Sequence, residues 1–295
     1  MNKLLNLAII GGSIDSTIGP THIKAINSTG KFNIYCGFFS RNNVLNIKSG
    51  KQYNVPKNRL YTNLKQLIKK EKKNIDIAVV LTPPNTRNKI FRDLINNNIN
   101  IVSEKPLESN LKKAKEIFKI IQKKKIFFAS TYNYLGYPGI IEIKSLVKNK
   151  IGKVLNFIIE MPQQTFVFKK SNIKKWRLKD KNKEIPNLYL DLASHLVSLI
   201  YYFFNEYPKE LKNFVSKKNK FKVVDNSYVW LKFKKFYGSL WFSKNSAGQR
   251  NRLSIRIFGS KGSIEWNHNN PEKINFYDNN GGIEIIDRLN KKATH

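Results

Sequence analysis

Ile99-Asn-Ile-Val-Ser-Glu-Lys-Pro-Leu107 runs an apolar segment into an acid, a base and a proline, and the reading of that junction decides the fold. Ile99, Ile101 and Val102 suit a pleated surface, so the run predicts a β-strand. Pro106 has no N–H to give a ladder, so the strand has to end by Lys105. Glu104 and Lys105 then stand at the carboxyl end of a strand, the edge where open α/β sheets bind ligands. Taken alone, the dipeptide reads as a solvated pair at a loop. Its neighbours have to decide.

Residues 4–10 form an apolar strand, followed by Gly11-Gly12-Ser13-Ile14-Asp15-Ser16-Thr17-Ile18-Gly19-Pro20. Pro20 suits the first turn of a helix, whose apolar positions Ile23 and Ile26 lead to a stop at Gly30. Strand, glycine turn and helix make the first unit of a nucleotide-binding fold, in which backbone N–H groups and the helix N-terminus hold a pyrophosphate. The contact positions are Gly11, Gly12, Ser13 and Ile14. Against G-x-G-x-x-G, Gly11 fits the first place, but Ser13 takes the second and Ser16 the third, so a plain strand-to-helix turn is an equal reading of this motif. Asp15 puts a carboxylate near the expected phosphates, which is unfavourable unless it turns away.

A second strand over 33–39 ends in Ser40-Arg41-Asn42-Asn43. An acid at this point would bind a ribose 2′-OH, and an arginine would accommodate a 2′-phosphate. No acid occurs between Asn33 and Asn46, so Ser40 and Arg41 predict NADP, with NAD as the other possibility; Arg41 also reads as one more surface cation. Further on, helices over 64–73, 87–98 and 109–125, the last capped by Ser109, alternate with strands over 75–81 and 126–130. Thr82-Pro-Pro-Asn-Thr86 breaks the chain before the helix at 87. Five such alternations predict an α/β fold with a parallel, doubly wound sheet.

Beyond Thr131 the rhythm changes, and the domain boundary falls there, giving segments 1–131 and 132–295. A helix over 139–149, a strand over 153–161 and an irregular polar stretch precede a run at 190–204 that is apolar at helical spacing. Strand-like segments follow at 222–233, 236–243, 253–258, 263–266 and 273–277, with Gly259-Ser-Lys-Gly262 as a hairpin turn. No helix intervenes, so this half predicts a large, mostly antiparallel sheet with helices on one face.

Composition narrows the function classes. The chain has 295 residues, 41% hydrophobic, which excludes a disordered polymer. No apolar run approaches the ~20 residues of a membrane span. Residues 4–10 resemble the apolar core of a leader, but Asn6 interrupts them and Gly11-Gly12 stands where a cleavage site would be. The single cysteine, Cys36, permits no internal disulfide and points to a cytoplasmic protein. The net charge of +34 comes from 45 Lys and only 9 Arg, spread over the whole length. Arg is the residue of bidentate phosphate and base reading, so this bias predicts weak polyanion attraction and no specific nucleic-acid partner.

Asp191 and His195 stand four apart and share a face of the 190–204 helix. A histidine in an apolar helix serves as a satisfied core residue; with a carboxylate one turn away it also serves as a general acid/base. No second histidine stands at ligand spacing, so no metal site is expected.

These pieces resemble the Gfo/Idh/MocA oxidoreductases, which include glucose-fructose oxidoreductase and inositol dehydrogenase. The resemblance rests on Ile9-Ile-Gly-Gly12, Ile18-Gly19 with His22, Thr82-Pro83, Glu104-Lys105-Pro106, Tyr132-Asn-Tyr134 with Gly136-Tyr-Pro138, Trp176-Arg177, Asp191-x-x-x-His195 and Ile257-Phe-Gly-Ser-Lys-Gly-Ser-Ile-Glu-Trp266, in order over nearly the whole chain. It implies an NAD(P)-binding Rossmann domain at 1–131, a substrate-binding and oligomerisation α+β domain at 132–295, and hydride transfer between a nicotinamide and a sugar, cyclitol or related polyol or carbonyl. It implies that Lys105 hydrogen-bonds the reacting oxygen and helps position the nicotinamide, that His195 exchanges the hydroxyl proton, and that Asp191 binds substrate and orients the site. Asn133, Tyr134 and Arg177 would line the pocket; Thr82, Pro83, Asn85 and Glu104 would border the cofactor; the second sheet would join copies into a homo-oligomer. Four departures accompany it: Ser13 and Asp15 replace glycines, Arg87 stands where a histidine is common, Pro186-Asn-Leu-Tyr-Leu190 replaces a glycine-rich approach, and the sequence stops at His295 where relatives continue, which reads as a C-terminal truncation. The alternative expectation is a degenerate, noncatalytic member acting as a binding or interaction protein.

Overall fold

Leu7, Ala8, Ile9 and Ile10 are all buried in strand β1 (Leu5–Gly11), the unbroken apolar run that a central parallel strand needs when both faces are covered. The computed structural model describes residues 3–167, 178, 180 and 184–287. The chain separates into two compact units, Met1–Thr131 and Tyr132–His295.

In the first unit β1 pairs in parallel with β2 (Phe32–Phe38) and β3 (Ile77–Leu81); β4 (Asn100–Glu104) and β5 (Phe128–Thr131) complete a five-stranded sheet in the order β2-β1-β3-β4-β5. The order reverses between β1 and β3, the switch point that opens a crevice beyond the strand ends. The period-2 alternation of β1 sends Leu7 and Ile9 to one core, with Ile23, Phe39 and Tyr53, and Ala8 and Ile10 to the other, with Leu67, Phe91 and Ile117.

Helices α1 (Gly19–Ser28), α2 (Asn43–Gln52), α3 (Leu64–Glu71), α4 (Pro84–Asn96) and α5 (Leu111–Lys124) connect these strands. Three differences from expectation have local causes. Helix α2 was not expected, because it buries Asn46, Ser49 and Gly50 rather than an apolar stripe; the Asn42 side chain caps it by accepting the Leu45 N–H. Helix α4 starts at Pro84 rather than 87, since a proline in the first turn gives up an N–H that would be orphaned anyway. The cap of α5 is Asn110, which accepts the Lys113 N–H, while Ser109 donates its N–H and hydroxyl to the Glu108 carboxylate.

In the second unit, α6 (Pro138–Asn149) and α7 (Ser194–Phe204) accompany eight strands: β6 (Val154–Pro162), β7 (Glu210–Ser216), β8 (Asn226–Lys232), β9 (Tyr237–Ser243), β10 (Ser254–Gly259), β11 (Gly262–Asn267), β12 (Lys273–Asp278) and β13 (Ile283–Asp287). Their order is β13-β12-β11-β10-β6-β9-β8-β7, and every pairing is antiparallel except β6 with β9. The apolar run expected as one helix over 190–204 divides into a π turn, Tyr189–Ala193, and α7. On one face Phe157, Ile159, Phe242, Ile255, Ile257 and Trp266 pack with Ile140 and Ile143 of α6 and Leu196 and Leu199 of α7. The alternate residues Tyr228, Trp230, Tyr237, Ile283 and Ile285 are exposed.

Phe157 lies opposite Gly238 in the β6–β9 register, and a Cβ at Gly238 would come within 2.1 Å of the Phe157 ring. The ring is 1% exposed and meets Phe204 and Phe233 at 5.0 and 5.8 Å between centroids, so it has nowhere to yield. Gly238→Ala is expected to destabilise the second unit by about 1–3 kcal/mol, read as a lowered urea midpoint; an unchanged midpoint would show that the cluster relaxes.

Candidate functional site

The first unit gathers its candidate residues at the carboxyl ends of β1, β3 and β4. Gly11 and Gly12 leave β1 with φ of +81° and +71°, a conformation glycine adopts at little cost. The turn closes through the Ser16 N–H donating to the Ser13 carbonyl at 2.8 Å and the Gly19 N–H donating to Ser16 Oγ at 2.8 Å. A Cβ on Gly19 would meet the Gly12 carbonyl oxygen at 2.1 Å, so Gly19 performs the close helix-to-strand packing that the glycine fingerprint assigns to its third place. The motif had pointed to position 16; the turn is longer, and its last glycine opens α1. Ile14 donates its N–H to Ser49 Oγ at 3.2 Å, and Tyr53 donates its hydroxyl to the Gly12 carbonyl at 3.3 Å. Asp15 is exposed on the turn; burial first, and then the Asp15 charge, pushes the Tyr53 hydroxyl pKa up.

Across the switch point, a Cβ on Gly11 would meet Thr82 at 2.8 Å, so the glycine turn touches the end of β3 directly. At the end of β2, Ser40 Oγ accepts the Asn42 N–H at 3.1 Å, and Arg41 is exposed beside it. Pro83 caps α4, and Asn85 is exposed on its first turn. The Glu104 carboxylate is held within the domain: Oε1 accepts from His22 Nε2 at 2.7 Å and from Thr131 Oγ1 at 2.8 Å. Lys105 follows it and is joined to Pro106 by a cis peptide. Arg87, 3% exposed, donates to the carbonyls of Thr82, Glu104 and Pro106. Positive-φ glycines, a helix that begins on the turn and a sheet that reverses there are the features that accept a dinucleotide diphosphate. The residues present fit such a group.

The second unit brings Tyr134, Asp191 and His195 together. His195 is 8% exposed on the first turn of α7; the Tyr134 ring meets it edge-on at 5.0 Å and Tyr132 at 6.1 Å. Tyr134 is itself 3% exposed, and Asn251 donates to its hydroxyl at 3.4 Å. Burial raises the Tyr134 pKa; the Asn251 hydrogen bond opposes this, and the charges of Tyr137 and Asp191 add to it. His268 Nδ1 donates to the Asn251 carbonyl, which only accepts, at 3.2 Å, and Nε2 lies 3.1 Å from the Tyr137 hydroxyl. Asn133 is exposed, and Arg177 lies outside the described residues.

Two residues with strong contacts here were not among the expected site. Lys244 is 3% exposed and places Nζ 2.5 Å from Asp191 Oδ2. A buried ammonium needs a compensating anion, and the Asp191 carboxylate provides it. The partners are 53 residues apart, and a lone lysine after a strand carries no sequence signal. Asn251 is the other, linking Tyr134 to His268.

Comparison with known proteins agrees with this architecture. The family model described as "Oxidoreductase family, NAD-binding Rossmann fold" matches residues 5–132, and the "GFO/IDH/MocA C-terminal domain" matches 140–265. A Bacillus subtilis relative, uncharacterized oxidoreductase YfiI, is 25% identical over 297 residues, covering 94% of this chain and 74% of the relative. The structure of an inositol dehydrogenase homolog from Azotobacter vinelandii, complexed with NADH and myo-inositol, superposes with a TM-score of 0.89 at 22% identity, covering 98% of this chain and 76% of that one. Levoglucosan dehydrogenase, in complex with NADH and L-sorbose, superposes with a TM-score of 0.85 at 18% identity, covering 96% and 80%. With both family models matched in order across most of its length, the chain belongs to the GFO/IDH/MocA oxidoreductases.

Proposed function

We propose that this oxidoreductase transfers a hydride between a nicotinamide coenzyme, NADP in preference to NAD, and a carbinol carbon of a sugar, cyclitol or related polyol. The observation that carries the reading is the buried His195 held edge-on by Tyr134, with the Asp191 carboxylate, four residues earlier in the chain, compensated by Lys244. The relatives bound to NADH with myo-inositol or L-sorbose support the substrate class.

The nicotinamide, when bound, supplies the hydride acceptor or donor. The protein's own residues do the rest. Gly11, Gly12 and Ser13 bring backbone N–H groups and the α1 N-terminus to the diphosphate. Ile14 supports that turn through Ser49, and Arg41 with Ser40 meets the adenosine ribose, where a guanidinium favours a 2′-phosphate. Thr82, Pro83 and Asn85 border the nicotinamide, and Glu104 braces the strand end next to them. Lys105 donates to the reacting oxygen and steadies its negative charge as it develops. His195 takes the hydroxyl proton in oxidation and returns it in reduction. Asp191 accepts from substrate hydroxyls, Asn133 and Arg177 would supply further substrate contacts, and Tyr134 holds the His195 ring.

The exposed Tyr228, Trp230 and Tyr237 make an aromatic sheet face, the kind of surface that self-association covers, and we read it as the interface of a homo-oligomer. Among the described residues no helix is long and apolar enough to cross a membrane, and a reduced cytoplasmic setting suits Cys36, whose buried thiol is pushed up to about 12. Asp15 on the phosphate turn and the Ile14 N–H already engaged by Ser49 favour a second reading, a noncatalytic binding protein. Turnover separates the two.

With a panel of cyclitols and sugars and either coenzyme, wild-type protein is expected to change absorbance at the reduced-nicotinamide band. Lys105→Ala and His195→Ala are each expected to lower kcat/KM by about 10²–10⁴-fold; full activity in both variants would refute the assigned roles. Arg41→Ala is expected to weaken NADPH about tenfold, some 1.4 kcal/mol, and to leave NADH unchanged, as read by fluorescence titration. Equal loss of both coenzymes would remove the basis for an NADP preference.

A further inference from the structure

Arg87 is a buried cation whose hydrogen bonds all go to backbone at two strand ends. Its Nε donates to the Thr82 carbonyl at 2.7 Å; its Nη1 donates to the Pro106 carbonyl at 2.5 Å and to the Glu104 carbonyl. Thr82 leaves β3, and Glu104 to Pro106 leave β4, its neighbour in the sheet. The β3–β4 register stops at Val80 opposite Ser103, so the ladder no longer fixes the spacing of these two turns. The guanidinium replaces the ladder there. Its rigid fork reaches three carbonyls at once, which a point-charge ammonium on a flexible stem cannot do with the same geometry. Burial pulls its pKa down to about 10, with Glu104 and Glu108 opposing the fall, and it keeps its charge at neutral pH.

We propose that Arg87 is a positioning residue for the nicotinamide half of the coenzyme: it locks the Thr82 turn and the Glu104–Pro106 turn at one spacing and thereby sets where Lys105 stands. The inference rests on the reading of this sheet edge as the coenzyme site. None of the Arg87 hydrogen bonds reaches the glycine turn or the Ser40-Arg41 segment, so its loss acts first on the Thr82 and Glu104–Pro106 turns and only secondarily, through the Gly11–Thr82 contact, on the diphosphate end.

That selectivity is the test. Wild type, Arg87→Met and Arg87→Lys are titrated with NADH and with ADP-ribose, which lacks the nicotinamide, and with NADPH and its 2′-phosphorylated ADP-ribose counterpart. Arg87→Met is expected to weaken the complete coenzyme tenfold or more while the ADP-ribose ligand stays within about twofold; Arg87→Lys should fall between. Loss of both ligands alike would mean a general structural role, and loss of neither would mean no role; each overturns the assignment, and if Arg87→Met does not fold, Arg87→Lys is judged by the same ratio. Wild-type protein that binds none of the ligands overturns the coenzyme reading and the assignment with it.

Discussion

One carboxylate oxygen joins three elements of the first unit. Glu104 Oε1, at the end of β4, accepts from His22 on α1 and from Thr131 at the end of β5. Burial alone would raise the Glu104 pKa, but the hydrogen bonds from His22 and Thr131 and the charges of His22 and Lys105 outweigh it and hold the carboxyl below its usual range. An ionised acceptor makes both bonds charge-assisted, the stronger class. The helix that starts on the glycine turn is thus tied directly to the strand that ends beside Lys105. Arg87 fastens the same strand end from the other side, through carbonyls rather than carboxylates.

The second unit solves a similar problem with aromatic surface and one buried ion pair. Tyr134 packs edge-on against His195, stacks on Tyr137 at 5.7 Å and is anchored by Asn251, so the imidazole sits against rings that cannot swing away. Lys244 compensates Asp191 one helical turn earlier. The ring contacts fix the orientation of the imidazole, the property that the proposed role as general base requires.

Where the chain alternates its apolar residues plainly, the architecture was legible. β1 reads as a two-faced buried strand, Pro106 ends β4, and the switch from βα alternation to consecutive strands marks the change of sheet type. What was hidden has physical causes. Helix α2 buries Asn46, Ser49 and Gly50, whose role is to hydrogen-bond and to fit close, not to form a stripe. β7 is an edge strand exposed along nearly its whole length, so it shows no alternation. Ser109 and Asn110 are adjacent residues with equal capping chemistry, and only the Glu108 side chain, which engages Ser109, decides between them. Of the site, Glu104, Lys105, Asp191 and His195 stood out as residue types at meaningful spacing. The Lys244-Asp191 pair and the carbonyl clamp of Arg87 depend on three-dimensional proximity, which spacing along the chain does not encode.

The proposed activity requires that the turn from Gly11 to Gly19, with its longer path and its Asp15, still hold a nicotinamide dinucleotide. Calorimetric titration of the unmodified protein with NADPH and with NADH tests this without knowledge of the substrate. The prediction is one site per chain with a Kd in the range of about 1 μM to 1 mM, typical of working enzyme–ligand pairs. Absence of binding heat for both coenzymes, together with absence of any thermal stabilisation at millimolar concentration, would contradict it.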